Sequence, residues 1–206
     1  MERIRLNIAL IPDEETRAAT TALSQEYADH IDTFIVLDSE KMHPHVTLYS
    51  PDFSKENFSK IHTDLSQIAD KAAAINLKLT AIEPSSTGGI SANYAATEEI
   101  KQLRSAVMTK LSPYRNGFIR EKFLPISKFN HIEQTQIENF GYPINRYHFP
   151  HITLSQNGDK NIVEKLLQTD LQQKLPQVCN FREIIIGETG LHGTIINILD
   201  RFSLQG

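Results

Sequence analysis

Apolar and polar positions along the chain fall into short alternating runs, separated by longer stretches with helical spacing. Ile4 to Ile11 is rich in β-formers and reads as a strand that Pro12 stops. Asp13 is placed to cap a helix that has Glu14 and Glu15 in its first turn and runs to about Ile31. Phe34 to Leu37 is a short apolar run, and His45 to Tyr49 alternates as a strand ended by Pro51. Ser54 can cap a second helix, on which Phe58, Ile61, Leu65, Ile68 and Ala72 share one face. Ile75 to Ile82 reads as another strand, and Gly88-Gly89 marks a turn or bend.

The same order then repeats. Ile90 to Ala95 predicts a strand, and Thr97 can cap a helix with Ile100, Leu103, Val107 and Leu111 on one face. Residues 112–148 are irregular, with a short helix expected near Gln134 to Phe140. His151 to Ser155 is a strand, and Asp159 can cap a helix carrying Ile162, Val163, Leu166 and Leu167. Phe181 to Ile186 is a strand, Gly187 and Gly190 flank a turn, and Thr194 to Leu199 is the last strand. Each half reads strand, helix, strand, helix, strand. The expectation is an α+β protein with an internal duplication: one compact unit over 1–206, with lobes built mainly from about 1–87 and 88–206 and room for strand exchange between them. Simple alternation also suits a parallel βαβ fold, but no Gly-rich phosphate loop follows any strand.

Composition narrows the class. The 206 residues are 40 % hydrophobic and 22 % charged, an ordinary globular balance. No apolar run is long enough for a membrane span, and the N-terminus reads as a strand rather than a signal segment. The single cysteine, Cys179, has no internal partner and reads as an inert core thiol, so a reducing cytoplasmic setting is expected, with no membrane and no obligate protein partner. The net charge of −4 argues against a protein that coats long nucleic acid. That charge is unevenly spread: residues 1–100 carry 8 Lys/Arg and 16 Asp/Glu, residues 101–148 carry 8 and 3, and residues 149–206 carry 5 and 6. The basic stretch is either a solvated surface or a local site for one or a few phosphates.

The chemistry rests on a repeat. Pro44-His45-Val46-Thr47-Leu48 recurs as Pro150-His151-Ile152-Thr153-Leu154. A bare His-x-Thr is weak, since His192-Gly193-Thr194 also fits it, but the five-residue match sits on the equivalent strand of each half. Period-two alternation puts His45, Thr47 and Tyr49 on one face, and His151, Thr153 and Ser155 on one face of the other strand. Two such strands related by a pseudo-two-fold axis bring two imidazoles and two hydroxyls to one cleft. That equipment suits general acid–base hydrolysis of a phosphodiester, with the threonines holding the phosphoryl oxygens. Neither metal nor cofactor is required. His43 shares a face with His45, and His148 lies near His151, but no Asp, Glu or Cys accompanies them at familiar ligand spacing. His192 reads as a turn residue.

Paired His-x-Thr motifs on a duplicated chain resemble the 2H phosphoesterase superfamily, which includes the 2′-5′ RNA ligase and cyclic phosphodiesterase proteins. Leu6 to Pro12 is similar to its opening strand, and Arg146 to Leu154 to the approach to its second motif. In the second half, Leu111 to Arg115, Glu138 to Pro143, Tyr147 to Leu154 and Arg201 to Leu204 look like the branch associated with phosphonate metabolism (the DUF1045 proteins). The chain departs from that branch at the first motif, where Pro44 and Tyr49 replace its usual flanking residues.

The resemblance implies two lobes of antiparallel strands lining a central groove, with helices outside. It also implies opening of a 2′,3′-cyclic phosphate or related small cyclic phosphodiester, with His45 as proton donor, His151 as acceptor, and Thr47 and Thr153 on the phosphate. On the residues alone, the near symmetry of the motifs leaves that order open. Tyr49, Phe149 and Tyr147 are candidates to stack on a base, with core packing the expected role of at least one of them, Ser155 to line the cleft, and Arg115, Arg120, Lys122 and Arg146 to take a second phosphate. The expected partner is a small cyclic phosphodiester or an RNA end. Ligation of RNA ends, the reverse chemistry, and a non-catalytic RNA- or nucleotide-binding module are the rival readings.

Overall fold

Strand β1 (Arg3–Pro12) sorts its residues by alternation. Leu6, Ile8 and Leu10 enter the main core, while Ala9 and Ile11 join Ile185 and Ile195 in a small second cluster on the opposite face. Arg3, Arg5 and Asn7, in step with Ala9 and Ile11, line a groove instead. The computed structural model describes residues 2–38, 40–85, 87–147, 149–169 and 175–206, without the side chains of 146 and 147.

Among the described residues eight strands form one antiparallel sheet: β1, β2 (Val46–Tyr49), β3 (Asp52–Ser54), β4 (Ile75–Pro84), β5 (Gly89–Tyr94), β6 (His151–Gln156), β7 (Val178–Thr189) and β8 (Ile195–Ser203). The path runs β2-β1-β7-β4-β5-β6, with β3 added to β1 and β8 to β7. The start of β4 (Ile75–Lys78) pairs with β7, and its later part pairs with β5, so β4 passes from one lobe to the other. Among the described residues five α-helices flank the sheet: α1 (Glu14–His30), α2 (Phe58–Ala69), α3 (Glu98–Leu111), α4 (His131–Phe140) and α5 (Lys160–Leu166). None of the described helices is long and apolar enough to cross a membrane.

The lobes draw on both halves of the chain. Helix α1 packs on β6 of the second half, and α3 packs on β2 of the first, while β1 pairs with β7 along most of its length.

Local chemistry explains most element ends. The Asp13 carboxylate accepts from the Thr16 N–H at 2.9 Å, and Asp159 accepts from Asn161 at 2.8 Å. Helix α4 starts at His131, earlier than its apolar spacing suggested, because Asn130 and Glu133 close a reciprocal capping box. Ser54 does not cap: it is buried as the last residue of β3, and a single 3-10 turn precedes α2. Gly187 lies inside β7 rather than at its end, since a Cβ there would stand 2.6 Å from Ile195 on the paired strand. The turn of that hairpin falls at Leu191–Gly193.

Candidate active site

Each motif opens with a buried proline that leads into the strand, and the histidine follows at its mouth. His45 Nδ1 lies 2.8 Å from the carbonyl of His43, and His151 Nδ1 lies 3.0 Å from the carbonyl of Phe149. A carbonyl only accepts, so both Nδ1 atoms carry the proton, and in each neutral ring Nε2 is the lone-pair nitrogen. The two rings occupy equivalent positions and line one groove of about 900 Å³, together with Thr47 and Thr153.

Both motif strands contain the same irregularity. On β1, Ala9 faces Thr47 but Ile8 faces Tyr49, so Leu48 is an extra residue. On β5, Ser91 faces Thr153 but Ile90 faces Ser155, so Leu154 is the extra one. A bulge reverses the alternation beyond it. Tyr49 and Ser155 therefore turn away from the groove, and both are 0 % exposed. The Tyr49 hydroxyl donates to the Phe140 carbonyl at 3.0 Å, and Ser155 shares a 2.8 Å hydrogen bond with Thr33. The expectation that they line the cleft is corrected by this duplicated bulge.

Asn7 reaches across from β1 to the first motif. Its Nδ2 lies 3.2 Å from His45 Nε2 and 3.1 Å from Thr47 Oγ1. Since Nδ1 of His45 is the protonated nitrogen, Nε2 accepts here and Asn7 donates. Asn7 is 1 % exposed, and its Oδ1 has no partner among the described residues. Burial, with smaller contributions from the charges of His151 and His43, pushes the His45 imidazole down to about 4; the His43 carbonyl works in the opposite sense. The ring is thus neutral at ordinary pH, with a lone pair at Nε2. His43 is also held below its usual value, first by burial, and Asp38 partly offsets this.

The remaining sequence candidates divide. Phe149, 61 % exposed, lines the groove, as do Arg120 and Lys122. Arg115 does not: it is 2 % exposed and donates to the carbonyls of Phe118 at 2.6 Å and Glu138 at 2.8 Å, fastening the end of α4. Its assignment to a phosphate is corrected on that ground. The side chains of Arg146 and Tyr147, and all of His148, lie outside the described residues. Groove residues that the sequence reading passed over are Asn7, Arg3, Arg5 and Arg104. Their only sequence signal was polarity inside an apolar strand or helix pattern. His192 sits in the turn as expected, but it also lines the groove and stacks on Phe34 with centroids 5.1 Å apart. Among the described residues, no three His, Cys, Asp or Glu side chains cluster as metal ligands.

Comparisons with known proteins give the family and the fold. The sequence profile of the 2′-5′ RNA ligase superfamily matches residues 12–189. It does not single out the phosphonate-associated branch. The fold is similar to that of E. coli LigT complexed with phosphate, at a TM-score of 0.61 and 14 % identity over 100 % of both chains. It is similar to TT0787 of Thermus thermophilus, at a TM-score of 0.59 and 18 % identity over 98 % of this chain and 99 % of that one. E. coli LigT complexed with 3′-AMP aligns at a TM-score of 0.59 and 15 % identity over 100 % of both chains. The search of curated proteins gave no match.

Proposed function

The chain belongs to the 2′-5′ RNA ligase superfamily, whose members are phosphoesterases and ligases, and from that premise we propose that it hydrolyses a 2′,3′-cyclic phosphate or a related small cyclic phosphodiester. The supporting observation is the pair of imidazoles in one groove, each with Nδ1 fixed by the carbonyl two residues earlier.

In this reading His45 is the base and His151 the acid, the reverse of the order the family resemblance implied. The neutral Nε2 of His45 exchanges its hydrogen bond from Asn7 for one from water and takes the water proton as the water oxygen bonds to phosphorus. Protonated His151 gives its Nε2 proton to the ribose oxygen as the P–O bond of the ring breaks. One proton enters and one leaves, so the site resets by exchange with solvent. Asn7 donates to the Thr47 oxygen, which directs the Thr47 proton outward to a phosphoryl oxygen, and Thr153 donates to the phosphoryl group from the other strand.

RNA ligation would use the same two transfers, with a ribose 5′-hydroxyl in place of water. The basic lining of the groove is the observation that favours it as a second reading. Phosphorus NMR of products from a panel of cyclic phosphodiesters, with and without a 5′-hydroxyl RNA end, tests both. A new phosphomonoester signal supports hydrolysis and a new diester supports ligation. A panel that passes through unchanged would overturn both.

A further inference from the structure

The groove is charged out of proportion to the protein. Its lining includes five Lys or Arg residues against two Asp or Glu, in a chain of net charge −4. Two of the cations share one carboxylate, and Lys122 lines the same groove. Asp52 is buried on β3 directly opposite Arg5 of β1, and its Oδ1 lies 3.0 Å from Arg5 Nε and 3.3 Å from Arg120 Nε. The Arg120 contact is an ion pair without hydrogen-bond geometry, and its hydrogen bond runs from Nη2 to Ser50 Oγ at 3.1 Å. Both contacts with Asp52 use Nε, so the terminal nitrogens of Arg5 and Nη1 of Arg120 make no hydrogen bond to a described residue. The Lys122 ammonium lies over the Phe123 ring, 4.9 Å from its centroid, and lines the groove; it is held below the ordinary lysine range, first by partial burial, then by the like charges of Arg120 and Arg5. One buried carboxylate thus orients two guanidinium forks whose outer nitrogens still have donors to give, an arrangement an anion would complete.

The cluster stands at a fixed distance from the chemistry. Arg5 and Asn7 are on the same face of β1, two residues apart, a separation of roughly 6.6–6.8 Å. Asn7 touches both His45 and Thr47. The separation is of the order of one nucleotide along an RNA backbone.

We propose that Arg5, Arg120 and Lys122 form a second anion subsite that takes a phosphate on the 5′-oxygen of the ribose bearing the cyclic phosphate. This rests on the reading of the central site given above, and it names the substrate class: a cyclic phosphate with a second phosphate one nucleotide step away, in preference to a bare cyclic mononucleotide. The 5′ group has two sources, a terminal monophosphate or the backbone diester of an RNA end.

Calorimetry with adenosine 3′-monophosphate and adenosine 3′,5′-bisphosphate tests the subsite without turnover. The bisphosphate should bind at least roughly tenfold more tightly, as expected for charge-assisted hydrogen bonds, and the ratio should fall as salt rises. In Lys122→Gln and Arg120→Gln, each checked for an unchanged melting temperature, the ratio should move toward one. Equal binding of the two nucleotides, or a ratio untouched by Lys122→Gln, would overturn the subsite alone. Failure of both nucleotides to bind would overturn the central site with it. Measuring kcat/KM for a cyclic mononucleotide, its 5′-monophosphate and a dinucleotide ending in a cyclic phosphate separates the sources. A gain only for the dinucleotide identifies an RNA end, a gain for both identifies the phosphate itself, and no gain for either refutes the proposal.

Discussion

Asn7 donates one amide hydrogen to His45 Nε2, at 3.2 Å, and the other to Thr47 Oγ1, at 3.1 Å. A single buried side chain on β1 therefore engages the lone-pair nitrogen of His45 and directs the hydroxyl beside it.

Asn7→Asp should therefore change the pH profile rather than the fold. A carboxylate at this position would accept from Nε2–H and favour the imidazolium, raising the His45 value by roughly 1–3 pH units from about 4. The base is active when neutral, so the acid limb of kcat/KM should move to higher pH. Rate profiles of the two proteins, with an unmoved limb in the variant, would show that Asn7 does not control His45.

Replacing either histidine by alanine should lower kcat by roughly 10²–10⁴, the usual contribution of a positioned acid or base. Thr47→Ala and Thr153→Ala should lower it less, each removing one donor to the phosphoryl group. Steady-state rates on the substrate found by NMR check this. Wild-type turnover by both histidine variants would end the acid–base assignment.

Tyr49 and Ser155 should behave as core residues. Tyr49→Phe and Ser155→Ala each lose a buried hydrogen bond, so each should lower stability by about 1 kcal/mol and leave kcat unchanged. Urea denaturation and turnover measured side by side would expose the opposite pattern.

Those two residues also mark where sequence reading stops. The repeated Pro-His-x-Thr-Leu, the caps at Asp13 and Asp159 and the apolar faces of α2 and α3 depend on neighbours a few residues away, and they are legible in the chain. A bulge depends on the register of two strands far apart in sequence. Strict alternation therefore carried Tyr49 and Ser155 to the wrong face. Arg115 fails for a related reason: only the folded chain shows that two backbone carbonyls surround it. Asn7 left a signal, as the one polar residue between Leu6 and Pro12, but its partner 38 residues away did not. The exchange of helices between lobes is likewise a matter of tertiary packing.

Exhaustive chelation should leave the activity intact. Each motif imidazole already commits Nδ1 to a carbonyl, and the two proton transfers need only the two Nε2 atoms. A metal-assisted reaction would instead draw its nucleophile from metal-bound water. Turnover lost in EDTA and restored by one divalent ion would refute the two-histidine mechanism.

The depressed His45 value also predicts how stability varies with pH. The group sits near 4 in the folded protein and about 6.5 unfolded. Between those values the unfolded chain binds a proton that the folded one refuses, so stability rises with pH across that window and falls as the solution is acidified through it. From pH 7 to pH 5 the loss from His45 should be about 2 kcal/mol, at roughly 1.4 kcal/mol per pH unit below 6.5. His43, also held low, adds in the same direction. His45→Gln takes up no proton in either state and should remove the His45 share while keeping the rest. Urea denaturation of both proteins at pH 7, 6 and 5 makes the comparison. Parallel curves for the two would mean that His45 is not held neutral by the fold, and the base would then have to be sought in His151.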